Sequence, residues 1–309
     1  MKPRLSIIIV NWNSGPRLRA NVESLRREND PTGLEVMIVD NASTDGSADM
    51  IAGDATACLI RLLSNRGFAA AANTAAREAR GNWLLFLNPD IIHTPNNIGR
   101  LLAGVTGRTE AVGGCGCLVD TEGRPQRHFQ LRQLPSPAWA LAELLLPQQV
   151  RINGWGLRRH FYAHYPWDRP FRVQQPAAAC LLLRTDAFRE LGGFDEAFSP
   201  AWFEDVDLCR RLRDRRLDLW FVPDARFIHE GGYSASALSP AEFLSIYWGN
   251  ACRYYTKHHP AFAVLYRRLV PVGLYMRAAV AASADRRQAL CEAGRRLMDR
   301  IRTTGTDRS

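Results

Sequence analysis

The chain has 309 residues, 46% of them hydrophobic, and no run of about 18 uncharged apolar residues, which favours a large α/β domain without a transmembrane helix. Its seven cysteines are scattered and odd in number, which argues against a disulfide framework and favours a reducing, cytoplasmic compartment. The net charge is +9, but residues 253–309 contain twelve Arg or Lys against four Asp or Glu, so the preceding part is nearly neutral.

Strand and helix patterns alternate along the first hundred residues. Apolar runs, typical of strands buried on both faces, occur at Leu5–Val10, Val36–Val39, Ile60–Leu63 and Trp83–Leu87. Helical patterns separate them at Pro16–Arg27, from Ser47 onward and at Phe68–Ala79. This alternation predicts an α/β fold built on a parallel sheet with right-handed crossovers.

Polar residues follow each of these strands. They are Asn11 after the first, Asp40 and Asn41 after the second, Asn65 and Arg66 after the third, and Asn88 and Asp90 after the fourth. In open α/β sheets, ligands bind outside the carboxyl ends of the strands. The sequence therefore predicts a ligand site at this edge of the sheet.

Two common nucleotide-binding signatures are missing from the sequence. A dinucleotide-binding dehydrogenase has GxGxxG between its first strand and helix, where this chain has NWNSG at residues 11–15. The GxxxxGK[ST] signature of P-loop nucleoside triphosphatases is also missing. Both classes of protein are therefore excluded.

Six short motifs follow one another along the chain. They read IIIVNWN, IVDNASTDGS, SNRGFAAAAN, FLNPD, LGGFDEAF and FEDVDLCRRLR. In this order and spacing they resemble the inverting family 2 glycosyltransferases with the GT-A fold. The resemblance covers roughly residues 4–260 and is closest to the bacterial rhamnosyltransferase-like branch.

This resemblance implies both a fold and a reaction. The fold would be that of GT-A nucleotide-diphospho-sugar transferases, a Rossmann-like mixed sheet flanked by helices, here with a C-terminal helical appendage. The reaction would move a sugar, L-rhamnose from dTDP-rhamnose in this branch, from a nucleotide diphosphate to a sugar acceptor on a polyprenyl lipid. We therefore expect a metal-dependent glycosyltransferase of the hexosyltransferase type that acts in polysaccharide synthesis for the cell envelope.

The donor-binding residues implied by the resemblance lie at the strand ends. Asp40 would accept a hydrogen bond from the N–H of a pyrimidine base, although capping of the following turn is an alternative role. Gly67 permits close approach of a ligand to the backbone, beside a helix N-terminus that favours phosphate. The expected donor set is Asn11, Asp40, Asn41, Arg66, Gly67, Asn73, Asn88 and Asp90.

Asp90 and His229 are the expected metal ligands. Asn88-Pro89-Asp90 stands where many relatives carry two aspartates, so Asp90 is the carboxylate left to bind a divalent ion. His229 follows a strand-like run at Leu219–Val222, where relatives also have a histidine, although a surface-loop histidine is the alternative. The ion would be Mn²⁺ or Mg²⁺ and would neutralise the diphosphate leaving group.

Glu204 and Asp205 are the expected catalytic pair. They begin a helical pattern that extends to about Arg215, and acidic residues at a helix start also have a purely stabilising role. By resemblance, Asp205 is the general base that takes the proton of the acceptor hydroxyl, and Glu204 helps to bind acceptor hydroxyls. Asp207 is expected to pair with Arg210 or Arg211 on its own helix.

The C-terminal region differs in composition from the rest. We place the catalytic domain at 1–240, with a nucleotide-sugar half at about 1–120 and an acceptor half at 121–240, and a basic amphipathic helical tail at 241–309. The segment Leu265–Val280 is apolar but contains arginines and is broken by Pro271. We expect the tail to contact an anionic membrane, which would make the protein peripheral on the inner face of the cell membrane. Docking onto the catalytic domain, or onto a second subunit in a homo-oligomer, is the alternative.

Other functions are compatible with parts of the sequence. A nucleotidyltransferase would need a Gly-rich, basic phosphate loop after the first strand, and NWNSG does not provide one. A catalytically inactive nucleotide-sugar-binding protein would be expected to lack Asp90, Asp205 or His229, and all three are present. Nucleic-acid binding has no support besides the basic tail, and we do not expect it.

Overall fold

The computed structural model describes residues 4–27, 33–146, 158–231 and 238–306. The strands are, in chain order, β1 (Leu5–Asn11), β2 (Leu34–Asp40), β3 (Cys58–Arg61), β4 (Trp83–Leu87), β5 (Ile91–His93), β6 (Ala111–Val119), β7 (Leu131–Arg132), β8 (Phe171–Val173), β9 (Gln175–Pro176), β10 (Cys180–Arg184) and β11 (Asp218–His229). The helices are α1 (Pro16–Arg26), α2 (Phe68–Glu78), α3 (Asn97–Thr106), α4 (Arg127–Gln130), α5 (Pro137–Leu145), α6 (Thr185–Glu190), α7 (Glu204–Asp214), α8 (Pro240–His258), α9 (Pro260–Ala279) and α10 (Ala284–Thr306).

Most strands form one mixed sheet in the order β3-β2-β1-β4-β10-β6-β11-β5, with β8 also paired to β11. β1 pairs in parallel with β2 and β4, β2 pairs in parallel with β3, and β6 pairs in parallel with β11. β10 connects these two parallel groups by antiparallel pairing with β4 and β6. The short strands β7 and β9 form a separate antiparallel pair.

The sheet is covered by helices that carry small and aliphatic side chains. β1 is buried along its whole length, as expected of a central parallel strand. α2 packs on β1 and β2 through buried alanines between Ala69 and Ala76. Since alanine adds little bulk, the backbone of α2 can lie close to the sheet and bring its N-terminus to the strand ends.

β6 is buried at every position and contains three glycines, Gly113, Gly114 and Gly116. A Cβ atom added to them would lie 2.3 Å from the carbonyl oxygen of Leu182, 2.2 Å from that of Trp220 and 2.4 Å from that of Ala225, respectively. These distances are shorter than van der Waals contact. Close packing around β6 therefore requires glycine at all three positions.

The mixed α/β sheet expected from the sequence is confirmed, with differences in detail. The helix expected from Ser47 is wrong: the chain makes only a 3₁₀ turn at Asp49–Ile51, because Asp45 holds the backbone N–H and hydroxyl of Ser47 in a tight turn. The third strand is Cys58–Arg61 rather than Ile60–Leu63. His229 is the last residue of a long strand and is buried, so it is not a surface-loop histidine.

The chain divides into two compact units. The first comprises Met1–Leu134, Arg158–Pro200 and Glu204–Ser234, and the second comprises Pro135–Leu157, Ala201–Phe203 and Ala235–Ser309. The second unit therefore includes two segments from the middle of the chain, which the sequence did not indicate. The roles expected for residues 1–120, 121–240 and 241–309 stay predictions.

The second unit is helical and has an aromatic core. Tyr254 and Tyr255 of α8 and Tyr266 of α9 are among its most deeply buried side chains. α9 packs against α5 at Gly273, where an added Cβ would lie 2.5 Å from Leu144. α9 also continues through Pro271, contrary to the expected break. The proline is buried, and packing of α9 against α5, α8 and α10 stabilises the helix despite the lost backbone hydrogen bond. In the described part of the chain, no helix has the length and apolar character needed to cross a bilayer.

Candidate active site

The end of β1 is fixed to the end of β2 by Asn11. Asn11 lies opposite Asp40 in the parallel register, and its Nδ2 donates to Asp40 Oδ1 at 2.9 Å and to Ser47 Oγ at 2.9 Å. Ser14 donates to Asn11 Oδ1. Asn11 and Asp40 are both buried. The Asp40 side chain is therefore held in one orientation at the carboxyl edge of the sheet.

Asn41 organises the loop before α2. Its Nδ2 donates to Asn65 Oδ1 at 2.9 Å, and its Oδ1 accepts from the backbone N–H of Arg66 at 2.8 Å. Gly67 follows with φ of 81°, and an added Cβ would lie 2.8 Å from the carbonyl oxygen of Pro200. Because glycine alone fits this position, the loop can place the N-terminus of α2 beside the strand ends.

Asn73 holds a turn of the chain instead of projecting from the edge of the sheet. Its Nδ2 donates to the carbonyl of Phe194 at 2.8 Å, and its Oδ1 accepts from the N–H of Phe194 at 3.0 Å. Arg211, which pairs with the buried Asp207 at 2.8 Å, donates to the carbonyl of Gly193 on the same turn. The expected Asp207–Arg211 pair is confirmed, whereas a direct contact of Asn73 with the donor stays a prediction.

Asp90 and His229 meet because β5 pairs with β11. His229 lies opposite Ile91 in the antiparallel register, so Asp90, which directly precedes β5, faces the end of β11. His229 Nε2 and Asp90 Oδ1 are 3.6 Å apart, and Asp90 Oδ2 accepts from the N–H of Gly231 at 3.2 Å. The two residues expected to share an ion are thus neighbours, although 139 positions separate them in the sequence.

The other side of His229 is held by α4 and the residue before it. Gln126 Oε1 lies 2.8 Å from His229 Nδ1, and Gln126 Nε2 donates to the carbonyl of His229 at 2.7 Å. The ring of Phe129 stacks on the imidazole, with centroids 5.1 Å apart. Burial lowers the pKa of His229 below 6.5, and the nearby Asp90 only partly opposes this effect. The ring is therefore neutral at pH 7 and can act as a ligand.

This pair fits one face of a divalent-ion site. Asp90 Oδ1 and His229 Nε2 are both buried, and neither has a hydrogen-bond partner among the described residues. Two acceptors that face each other without a donor are unfavourable unless a cation lies between them. No cluster of three or more His, Cys, Asp or Glu suited to a metal occurs within the described ranges. The protein would thus contribute two ligands, an arrangement typical of ions that are also bound by substrate phosphates and water.

Asp205 lies in the first turn of α7 and is held by several donors. Its Oδ2 accepts from Gln175 Nε2 at 3.1 Å and from the backbone N–H of Ala178 at 3.2 Å, and its Oδ1 accepts from the N–H of Val206 at 2.8 Å. The neighbouring Ala179 accepts a hydrogen bond from the N–H of Asn88 at 3.0 Å. The segment around Ala178 thus connects Asp205 to the turn that carries Asp90.

Glu204 and Asp205 have different environments. Burial and the adjacent Asp205 raise the pKa of Glu204 well above its ordinary value of 4.5, and Glu204 Oε2 is buried without a partner among the described residues. Burial also raises the pKa of Asp205, but the Arg132 charge and backbone N–H donors oppose this. Of the two carboxyl groups, we therefore assign a proton to Glu204 and a negative charge to Asp205. Two neighbouring carboxyl groups whose pKa values differ in this way can supply one acid and one base.

The structure also places residues in the candidate site that the sequence did not indicate. Gln126 and Arg132 lie between Glu122 and Gln174, where the sequence shows no motif that we recognise, and Gln175 directly follows this stretch. Gln126 contacts His229, whereas Arg132 and Gln175 lie near Asp205. Arg66 forms a loose ion pair with Glu196 at 3.6 Å and remains half-exposed. No local sequence pattern could reveal Gln126 or Gln175, because their roles depend on pairing with strands far away in the chain.

Comparisons with known proteins identify the family of the chain. The family model of glycosyl transferase family 2 matches residues 6–165. An N-acetylglucosaminyl-diphospho-decaprenol L-rhamnosyltransferase of Mycobacterium tuberculosis is 30% identical over 78% of this chain and 80% of its own. The O-antigen biosynthesis protein RfbC of Myxococcus xanthus is 29% identical over 79% of this chain and 19% of its own.

A solved structure resembles this fold. It is the mannosyltransferase PcManGT from Pyrobaculum calidifontis in complex with GDP-Man and Mn²⁺, which superposes with a TM-score of 0.54 and 16% identity. The match covers 100% of this chain and 89% of that one. At this level of identity the likeness supports the fold.

Replacing Glu204 by Gln is expected to stabilise the protein increasingly as the pH rises. Because the pKa of Glu204 is raised in the folded state, the stability that this group contributes is fully present below the ordinary pKa of 4.5 and is lost as the pH rises through the folded pKa. Gln has a similar shape and no proton to lose. The Tm of Glu204→Gln minus that of the wild type should therefore increase from about pH 5 to about pH 8 in calorimetry.

The exposed Glu190 provides the control for this experiment. The Tm of Glu190→Gln minus that of the wild type should stay constant over the same pH range. If the Tm difference for Glu204→Gln is also constant, Glu204 does not hold a proton in the folded protein.

Proposed function

The chain belongs to glycosyl transferase family 2, and on this premise we propose that it transfers L-rhamnose from dTDP-rhamnose to a lipid-linked sugar, with inversion at the anomeric carbon. The expected family and GT-A fold are confirmed. The observation that supports the chemistry best is the unequal pair Glu204–Asp205, connected through Ala178 and Ala179 to the turn before Asp90. The rhamnosyl donor and the lipid acceptor are supported by the mycobacterial relative, whose name specifies both a rhamnosyl group and a decaprenol-linked sugar.

The donor side of the reaction is assigned to the ends of β1, β2 and β4. Asp40, oriented by Asn11, would accept a hydrogen bond from the N–H of the thymine ring. The N-terminus of α2 and Arg66 would bind the diphosphate, because both offer positive potential at that place. Asn41 contributes by holding the loop in which Arg66 and Gly67 lie, and Asn88 by fixing the turn before Asp90 through its backbone.

Asp90 and His229 would hold a divalent ion at the same edge. Their unpartnered buried atoms support this assignment, as does the Mn²⁺ in the complex of the Pyrobaculum calidifontis mannosyltransferase. When bound, Mn²⁺ or Mg²⁺ supplies positive charge that stabilises the diphosphate as it leaves the sugar. Gly231 holds the second oxygen of Asp90 through its N–H and so fixes the carboxylate.

Asp205 would act as the general base on the acceptor. A single carboxylate oxygen near the attacking hydroxyl is sufficient to accept its proton while the diphosphate leaves from the opposite face. Gln175, Ala178 and Val206 donate to the Asp205 carboxylate, which keeps its charge and orientation. Glu204, protonated beside it, could donate a hydrogen bond to a hydroxyl of the acceptor sugar.

These observations argue against two alternative functions. Membership in the glycosyl transferase family argues against a nucleotidyltransferase. A catalytically inactive nucleotide-sugar-binding protein would retain the donor site without a poised base, so the Glu204–Asp205 asymmetry argues against it. Measuring both transfer activity and donor binding in Asp205 variants distinguishes an enzyme from an inactive binding protein.

The lipid-linked acceptor suggests that the protein works at a membrane surface. One face of α9 is apolar and exposed: Leu265, Val272 and Met276 are each more than half exposed and follow one another at helical spacing. Arg267, Arg268 and Arg277 lie along the same helix, and four further arginines of α10 are exposed, namely Arg286, Arg287, Arg295 and Arg296. An apolar stripe with flanking arginines matches an anionic lipid surface, where the side chains insert and the guanidinium groups reach the head groups.

Asp205→Asn is expected to lower rhamnose transfer by a factor of about 10² to 10⁴, because the amide cannot accept the proton of the acceptor. The assay is transfer from dTDP-rhamnose to polyprenyl-diphosphate-linked N-acetylglucosamine. Binding of dTDP, measured by calorimetry, should change little. Asp207→Asn is the control on the same helical turn: it weakens the pair with Arg211, so it should lower Tm and cost less turnover.

Three results would contradict this assignment. A near-normal rate for Asp205→Asn would exclude Asp205 as the base. Equal loss of dTDP affinity and of turnover would place Asp205 in donor binding. A wild-type enzyme that uses another nucleotide sugar and not dTDP-rhamnose would overturn the rhamnosyl part of the proposal.

Removal of divalent ions is expected to abolish transfer. After treatment with EDTA and gel filtration, added Mn²⁺ or Mg²⁺ should restore the rate, because Asp90 and His229 would bind the ion with the diphosphate. The Tm without nucleotide should hardly change, which separates ion binding from folding. Full activity after exhaustive chelation would remove the metal assignment.

The triple variant Leu265→Gln, Val272→Gln, Met276→Gln is expected to lose binding to anionic phosphatidylglycerol vesicles in sedimentation. Wild-type binding should also fall in 1 M salt, where the Debye length is only about 3 Å. The control variant Met50→Gln, Leu63→Gln changes exposed apolar residues of the first unit and should bind like the wild type. Equal binding of the triple variant, or loss of self-association in it without any lipid binding, would contradict a membrane role for this face.

A further inference from the structure

Gln126 directly precedes α4 and makes two hydrogen bonds to a single residue, His229. Its Nε2 lies 2.7 Å from the His229 carbonyl oxygen, and its Oε1 lies 2.8 Å from the ring nitrogen Nδ1. The two residues are 103 positions apart in the sequence. A side chain that contacts both the backbone and the ring of one residue can fix the orientation of that ring.

The two contacts together determine where the imidazole carries its hydrogen. A carbonyl oxygen can only accept, so the amide NH₂ of Gln126 must face the carbonyl of His229. The amide oxygen then faces Nδ1, and because that oxygen also only accepts, Nδ1 must carry the hydrogen and donate it. In a neutral imidazole, Nε2 is then left with its lone pair.

The Nε2 lone pair is directed towards Asp90. Nε2 lies 3.6 Å from Asp90 Oδ1, and both atoms are buried without a hydrogen-bond partner among the described residues. A histidine with its hydrogen on Nε2 would instead donate to Asp90 and close the gap between them. The contact with Gln126 therefore keeps both side chains available as ligands.

Strand pairing fixes the position of Gln126 itself. Its backbone N–H donates to the carbonyl of Leu118 at the end of β6, and β6 pairs in parallel with β11, with Val119 opposite Ile228. Phe129, one turn later, stacks on the imidazole with an interplanar angle of 22°. The ring is thus held by hydrogen bonds at one edge and by an aromatic ring on its face.

We infer that Gln126 is a positioning residue, which holds His229 in the Nδ1–H tautomer and thereby sets the affinity of the Asp90–His229 site for a divalent cation. The part of this inference that concerns the cation rests on the proposed function. Partners of this kind, which bind the second nitrogen of a ligating histidine, typically change metal affinity by about 10- to 100-fold when they are removed.

The first test measures Mn²⁺ binding to the full chain by electron paramagnetic resonance, in the presence of dTDP. Gln126→Leu fills a similar volume but makes neither hydrogen bond, and it should weaken Mn²⁺ binding by about 10- to 100-fold. Gln126→Glu still accepts from Nδ1, although it cannot donate to the carbonyl, and it should keep most of the affinity. Rescue by Glu would show that the acceptor at Nδ1 is the contact that matters.

Gln130 provides the matched structural control. It lies four residues later and is buried, and its side chain donates to the carbonyl of Gly116 and accepts from the N–H of Leu118 rather than bonding to His229. Gln130→Leu should lower Tm while Mn²⁺ affinity stays within about twofold of the wild type. A loss of affinity that is equal in both Leu variants would mean that Gln126 acts only through stability.

The second test observes the tautomer without metal. In ¹⁵N-histidine-labelled protein, with His229 assigned by comparison with His229→Asn, the wild type should show the hydrogen on Nδ1, and Gln126→Leu should shift the population towards Nε2–H. An Nε2–H tautomer in the wild type would overturn the inference whatever the metal result. If the wild type shows the Nδ1–H tautomer but binds no Mn²⁺, the metal assignment of the proposed function fails and the effect on affinity fails with it.

Discussion

Parallel pairing of β1 with β2 and β4 is the constraint on which the site depends. Because of this pairing, the carboxyl ends of the three strands lie at the same edge of the sheet, and Asn11 lies directly opposite Asp40. The other half of the site reaches this edge by a different route, since β5 runs antiparallel to β11 and brings His229 to Asp90. The residues that we propose for donor and ion binding are therefore positioned by backbone hydrogen bonds, and side-chain contacts such as Asn11–Asp40 refine their orientation.

The site concentrates polar groups that are poorly satisfied in the protein alone. Glu204 Oε2, Asp90 Oδ1 and His229 Nε2 are all buried without hydrogen-bond partners among the described residues. Each such group lowers the stability of the fold, because burial without a partner costs free energy. The three groups belong to the site that we propose for the substrates and the ion, and ligands bound there would supply the missing interactions.

The sequence allowed the edge of the sheet to be predicted, because buried strands and the polar residues after them are local patterns. Asn11, Asp40, Asn88 and Asp90 could all be found in this way. The turn after Asp45 could not, because its side-chain hydrogen bonds to Ser47 replace the first turn of the expected helix. Gln126 and Gln175 were missed for a different reason: each acts through a contact with a distant part of the chain, and nothing in the neighbouring residues encodes that contact.

The glycines of β6 affect how this enzyme can be altered. Three positions in one buried strand accept no side chain, since even a methyl group would meet the backbone of β10 or β11. Directed-evolution libraries aimed at new sugar specificity should therefore leave Gly113, Gly114 and Gly116 unchanged and place diversity at exposed loop positions of the carboxyl edge, such as Thr44 and Ser64. Substitutions should be tolerated better at such positions than in the strand that lies between β10 and β11.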